Sequence, residues 1–527
     1  MKPTLLLRSF LLGATLAATI GSAGAQTAYT WDGDTDASFS TAGNWSPSIA
    51  PTAGTSNSRI NVNNGANNQL TYTATQGITI YSGGAGRSLV IASGANGSMT
   101  ITGGTFDSRQ ADQDIIVNGQ HVGSLTMNGG NYINTNGGGN IFHLGFNAGA
   151  AAGAQATLNM QSGNFTTGIL QFGQTAGIAS GGLVSVANLN GGILTANEIR
   201  ESGVAGTNVA LMASTINFNG GTLRAGASNA NFLLTGSVDN AVVQGNGAII
   251  DTNTFNVTVG KALTAGTGSG GLTKQGAGTL TLSAANTYTG ATTVSTGTLA
   301  LSGGGLIANS STISVASSAT LSVTGVTPTT FTVGSAQTLA GSGSVLATGK
   351  TVVANGTLAP GSSPGTLTQD GGSLQLGANG DLNWQIYDST GIAGTGYDTV
   401  NLINGATLNL SLLSTLNPYN INLWSLSAVS SDVNGNAINF NNTINQSWTL
   451  FSTGSAISGF DASDFAINTS AFNGTSGFSN SLGGGAFSVN LADSNTDLVL
   501  TFTAIPEPSA ALLGGLGMLA LLRRRRN

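Results

Sequence analysis

The sequence contains no cysteine, so neither a disulfide nor a thiolate metal site is open to it, and stability rests on packing and hydrogen bonds alone. Charge is scarce as well, with 14 Lys and Arg, 20 Asp and Glu and two His in 527 residues. So few basic side chains argue against nucleic acid as a partner, because binding it requires clustered Lys and Arg to neutralise phosphates. They argue equally against adsorption to anionic lipid. Helical patterning is missing from everything but the two ends: no inner stretch sustains a 3.6-residue apolar period. No nucleophile elbow, P-loop or dinucleotide fingerprint occurs.

Glycine is abundant instead, at 80 residues, beside 40% hydrophobic residues. Glycine at that level raises a low-complexity reading. The regular spacing of Val, Ile, Leu and Phe opposes it, since disordered chains hold too few apolar residues to offset the entropy of ordering. The spacing also repeats. Gly97 to Phe106 (GSMTITGGTF) aligns with Gly123 to Tyr132 (GSLTMNGGNY) position for position. The unit returns at Thr157–Phe165, around Asn190–Leu194 and at Thr215–Leu223. Within each unit apolar residues alternate with Thr, Asn or Ser, which is the signature of a strand with one buried face. A glycine pair then permits a turn with positive φ.

No such unit buries its apolar face alone, whereas stacked units share one core. The expected fold is therefore all-β: an elongated, right-handed parallel β-helix (β-solenoid), with an array of β-sandwiches as the competing architecture. The rungs are expected from about residue 60, with regular repeats over 96–375. After 376 the chain holds 14 of its 32 aromatics, Trp384, Trp424 and Trp448 among them, whereas 246–375 holds only Phe255, Tyr288 and Phe331. That shift predicts a smaller, aromatic-richer C-terminal β-domain over 376–504.

The two ends read as targeting segments, helical in both cases. Lys2 and Arg8 precede an apolar stretch from Phe10 to Ile20, and Ala23-Gly24-Ala25 supplies small residues for cleavage. This is the order of a secretory signal peptide, 1–25, with an uncleaved signal anchor as the alternative. At the other end Pro506-Glu507-Pro508 precedes the apolar run Ala510–Leu522 and then Arg523, Arg524, Arg525 and Arg526. Such a run spans about 20 Å as a helix against a hydrocarbon core of about 30 Å, so it is a marginal transmembrane anchor. The arginines are expected to stay cytoplasmic and leave the rest of the chain outside the inner membrane. A plain tail anchor is the alternative. Without both ends, 8 basic and 19 acidic side chains remain, a net charge of −11.

The 505–527 tail resembles the PEP-CTERM sorting signal of Gram-negative bacteria. That resemblance implies processing by an exosortase near Pro506-Glu507-Pro508 and transient residence in the inner membrane, followed by a cell-surface or extracellular location. A second block, Gly270-Gly271-Leu272-Thr273-Lys274-Gln275-Gly276-Ala277-Gly278-Thr279-Leu280 running on through Tyr288 and Val294 to Leu301, resembles the autotransporter-associated β-strand repeat. It implies a surface β-helix, with Leu280 and Leu282 sharing an inner face with Val294, Leu299 and Leu301. The opening at 26–95, with Trp31-Asp32-Gly33 and Gly43-Asn44-Trp45-Ser46, is similar to the caps of exported repeat proteins. The segments around Phe451, Phe460 and Phe487–Phe502 resemble the stretch that precedes such sorting tails. An autotransporter proper would end in a membrane barrel of many amphipathic strands, and the apolar run with four arginines predicts another export route.

Candidate chemistry is sparse. Asp107, Arg109, Asp112 and Asp114 form the densest polar cluster and read as a solvated loop between two rungs. Glu198, Arg200 and Glu201 read as a surface ion pair. His121 and His143 are 22 residues apart, about one turn, and lack a carboxylate at metal-ligand spacing. Asp32, Asp34 and Asp36 alternate as in a calcium loop, but Ala37 and Gly43 stand where that loop needs Gly and Glu. Asp388 and Asp398 read as turn caps. No catalytic residue, metal ligand or cofactor is assigned, and no enzyme activity is expected. The function expected is that of an exported structural or adhesive surface or matrix protein, associated with exopolysaccharide or biofilm. A carbohydrate-binding protein and a polysaccharide-degrading β-helix enzyme are the alternatives.

Overall fold

The computed structural model describes residues 27–505 and 517–523, less 32–34, 36, 38, 52–57, 64–68, 74–77, 80–86, 110–112, 136–138, 147–152, 174–181, 202–211, 269, 362, 430–432 and 471–476. The chain winds as a parallel β-helix. A first face is a ladder of parallel strands running from Thr27–Trp31 through Ile141–Phe146 and Leu272's neighbouring strand Thr279–Leu282 to Thr399–Ile403 and Gln446–Thr453. A second face runs from Leu70–Tyr72 to Leu263–Ala265. A third runs from Ile78–Thr79 to Phe465–Asn468. After Leu263–Ala265 the second face gives way to irregular chain, and further on the ladder Thr330–Val333 to Thr407–Asn409 takes its place.

The repeat seen in the sequence is the register of the ladders. Gly123 lies opposite Gly97, Met127 opposite Ile101 and Tyr132 opposite Phe106, and Leu158 follows opposite Leu125. Each unit supplies one strand to the second face and one to the third, with the glycine pair at the corner. The corner admits little else because corners stack on each other. Gly163 has φ +79°, and a Cβ there would sit 2.5 Å from the carbonyl oxygen of Gly130. Gly192, one coil on, would meet the oxygen of Gly163 at 2.6 Å.

Alternate residues point inward, and one apolar column per strand position runs along the interior. Met99, Leu125, Leu158 and Ala187 are buried in succession on the second face. Phe106, Tyr132 and Phe165 stack on the third, with centroids 5.8 and 4.6 Å apart. Such ring pairs contribute about 0.5–1.5 kcal/mol each beyond their buried area.

Both ends of the first-face ladder are covered by antiparallel pairing. Trp45–Ser46 pairs antiparallel with Thr30 and Trp31. The two indoles are buried 5.2 Å apart, and Trp45 Nε1 donates to Phe39 O at 2.8 Å. At the other end Asp497–Thr503 pairs antiparallel with both Gln446–Thr453 and Ala486–Ala492. Phe440, Trp448, Phe478, Phe487 and Phe502 gather there. The segment 376–504 thus contributes the last coils and this closing sheet, with the first and third ladders continuing across residue 376.

The expected signal peptide, with Ala23 and Ala25, lies outside the described residues, as do Pro506, Glu507, Pro508 and Arg524 to Arg526. A helix is described over 517–523, which ends on Arg523, and its Met518, Leu519, Leu521 and Leu522 are exposed. Among the described residues no helix is long and apolar enough to cross a membrane, and residues 510–516 of the expected anchor lie outside the described residues.

Candidate functional site

Asp107 and Asp114 of the acidic cluster are buried rather than solvated. Asp114 is fully buried at the corner between the third and first faces. Its carboxylate accepts from the backbone N–H of Ser88 (3.1 Å) and Leu89 (2.7 Å), from Ser108 Oγ (2.6 Å), from Asn134 Nδ2 (2.6 Å) and from the Tyr132 hydroxyl. Burial raises the pKa of Asp114, and the bonds from Ser108, Tyr132, Leu89 and Asn134 offset that rise only in part. Burial, and then the Asp114 charge, hold the Tyr132 hydroxyl well above its usual range. The knot ties successive coils together. Asp107 is buried as well and holds Arg109 through a bidentate contact of 2.6–3.0 Å. Asp112 lies outside the described residues. The spacing in sequence could not show that the corner closes over these carboxylates.

Asp398 repeats the device. It is buried and accepts from the backbone N–H of Gly365 (2.7 Å) and Gln385 (2.8 Å), two coils' worth of donors on one side chain. Asp388 instead caps a turn, accepting from Thr390 N at 3.0 Å and Asn439 Nδ2 at 2.9 Å. These bonds hold its pKa below the ordinary carboxylate value. Asp32, Asp34 and Asp36 lie outside the described residues.

His121 precedes the second-face strand Val122–Asn134, whereas His143 sits buried on the first face opposite Ile115 and Gln171. His143 Nδ1 lies 3.3 Å from Gln171 Nε2. The two imidazoles therefore belong to different faces. Among the described residues no group of three His, Asp or Glu is placed to hold a metal ion.

Glu198 and Arg200 form a loose pair at 3.8 Å, partly exposed, of a kind worth little. Glu201 differs. It is half-buried, accepts from Ser214 Oγ at 3.2 Å, and is pushed up to about 7, chiefly by burial and then by the Asp239 charge. Because its folded pKa lies above the ordinary 4.5, the folded state binds this proton more tightly than the unfolded state. The stabilisation is full below about 4.5 and is lost as pH rises through about 7. Glu201→Gln is expected to flatten the fall in melting temperature between those two pH values. An unchanged slope in a pH series of thermal melts would refute the assignment.

Lys274 had no signal in the sequence beyond its place in the 270–301 block. Its ammonium is buried at a corner, 3.0 Å from Thr252 Oγ1, 3.0 Å from Gln275 O, 2.5 Å from Gly276 O and 3.0 Å from Thr296 O. Burial lowers its pKa to about 8, against the raising effect of Asp251. At neutral pH it is thus an ammonium shared among carbonyls of neighbouring coils.

Residues 272–301 match the family described as Passenger-associated-transport-repeat. No curated protein matches the chain. The matched segment forms one turn of the β-helix and two strands of the next, with Leu280 opposite Leu299, Leu282 opposite Leu301 and Lys274 opposite Val294. All four leucines and Val294 are buried, as the alternation predicted. Over these residues the chain is similar to a passenger-type β-strand repeat.

The outer faces carry little charge and many amides. On the second face Asn188 Nδ2 donates to Asn159 Oδ1 and Asn217 Nδ2 to Asn188 Oδ1, both at 2.8 Å. Gln244 Nε2 extends the row to Asn217 Oδ1 at 3.3 Å. A parallel row joins Asn219 Nδ2 to Asn190 Oδ1 at 3.1 Å. The alternation in the sequence places Thr and Asn along one outer face, where a carbohydrate-binding reading would set them against sugar hydroxyls; their alignment into rows is set by the parallel register of the coils.

Proposed function

We propose that this chain is an exported, non-catalytic scaffold of the cell surface or extracellular matrix, adhesive through its outer faces and associated with exopolysaccharide in a biofilm. The observation that carries the reading is the passenger-type repeat at 272–301 set within one uninterrupted stack of coils. A single core closed at both ends suits a rod that holds its outer face at a distance from a membrane, in an environment where no disulfide reinforces it. The buried carboxylates support the same reading: Asp114 and Asp398 are consumed in holding coils together, and Asp107 in holding Arg109.

The ends supply the route. A signal peptide cleaved after Ala25 would start export, and the tail would hold the chain in the inner membrane until exosortase cuts near Pro506-Glu507-Pro508. Mass spectrometry of the chain recovered from the cell surface or medium tests this. The expected product begins at Gln26 and lacks the Ala510–Leu522 run and its arginines. Recovery of an intact C-terminal Asn527 would return the tail to a plain membrane anchor.

A further inference from the structure

The second face carries an open, polar groove of about 480 Å³ lined by Asn188, Asn190, Asn217, Asn219, Gln244 and Thr267. We infer that this groove binds a neutral, hydroxyl-rich glycan chain. The inference rests on the surface-scaffold reading and gives that scaffold its ligand.

The argument begins with the amides. An Asn side chain has two N–H donors and two acceptor sites. Asn188 uses one N–H on Asn159 and accepts one from Asn217; Asn217 uses one N–H on Asn188 and accepts one from Gln244. Along the second row, Asn219 donates to Asn190 and accepts from the backbone N–H of Asn246 at 3.2 Å. The rows fix the planes of these amides and leave Asn188, Asn217 and Asn219 one further donor and one further acceptor each. The side chains are therefore held in place before any ligand arrives, which lowers the entropy lost on binding.

The leftover groups select the ligand. Donors and acceptors are present together, and no Asp, Glu, Lys or Arg lines the groove. A phosphate, sulfate or carboxylate would find no cation there, and the acidic balance of the chain repels polyanions. A peptide side chain or an acyl chain would find no apolar wall, since the lining is amides, a glycine and a threonine. Hydroxyls both donate and accept, and a run of them matches such a surface. The same amide pair recurs on neighbouring coils, about 4.8 Å apart. A linear chain laid along the rows would meet it repeatedly, and weak contacts would sum by multivalency.

Affinity electrophoresis of the full mature chain tests the inference, in gels cast with dextran, pullulan or laminarin and, separately, with polygalacturonate. At least one neutral glycan is expected to cut the mobility of the native chain about twofold or more, and polygalacturonate to leave it unchanged. The double variant Asn190→Ala/Asn219→Ala is expected to run as in a plain gel while melting at the native temperature. Should that variant misfold, Thr267→Val tests the same groove from its other wall and is expected to reduce the retardation. Retardation that persists in the folded variants, retardation by polygalacturonate alone, or none in any neutral gel would overturn the inference. The surface reading is tested separately: a chain held at the cell surface yet unretarded sinks the glycan site and leaves the scaffold standing, whereas a retarded chain found only free in the medium does the reverse.

Discussion

Asp114→Ala is expected to destabilise the coils around residues 87–134 by about 3–5 kcal/mol, the largest effect of any single change considered for this chain. The reason is the number of donors that depend on one carboxylate. Ser88 N, Leu89 N, Ser108 Oγ, Asn134 Nδ2 and the Tyr132 hydroxyl all point at it inside the corner. Removing the acceptor leaves buried donors without a partner, and water does not reach a site with no exposed surface. A solenoid unfolds coil by coil as well as globally, so the measurement is hydrogen exchange resolved by peptide. Protection across 87–134 is expected to fall by about a hundredfold or more, since each 1.4 kcal/mol is a factor of ten. Protection over 350–425 should stay as it is. Arg109→Ala provides the comparison: its side chain is 54% exposed, and such a pair is worth under about 1 kcal/mol. Equal losses for the two variants would refute the account of the knot.

Lys274→Met is expected to cost about 2–4 kcal/mol at the junction of the matched repeat with the coils before and after it. Methionine keeps much of the volume of lysine and loses all of its donors. Gly276 O and Thr296 O then lose the ammonium that joins them. Thr252 Oγ1 keeps its bond to Gln275 O, so the loss is shared unevenly and the carbonyls of Gly276 and Thr296 carry most of it. Hydrogen exchange in 272–301 should rise first, with the neighbouring coils following because their only stabilising contacts are with each other. A Met variant whose exchange matches the native chain would show that the lysine is a passenger in the corner.

The sequence by itself determined the architecture. Alternating apolar residues at Met99, Ile101, Leu125 and Met127 fixed which side of each strand is buried, because side-chain direction in a strand has a period of two. The glycine pairs fixed the corners, since a corner stacked on another corner has no space for a Cβ. The repeat alignment fixed the register: Gly97 and Gly123, aligned in the sequence, lie opposite each other in the ladder. The Trp31 and Trp45 pairing at the open end follows from the need to cover a core that would otherwise meet water.

What the tertiary structure alone decided concerns polar residues, whose roles depend on what the winding brings next to them. Asp107 and Asp114 looked like an exposed loop because charged residues between two rungs usually are, and the corner folds over them instead. His121 and His143, about one turn apart in sequence, fall on different faces because the coil between them turns a corner. Lys274 carries no mark of burial, since its four oxygens include three main-chain carbonyls that no side-chain pattern encodes. The amide groove arises because the parallel register sets Asn188 opposite Asn159 and Asn217 opposite Asn188, which brings like residues into line. Apolar periodicity is a local signal and survives in the sequence, whereas hydrogen bonding between coils joins residues some twenty to thirty positions apart and is settled only when the chain has wound.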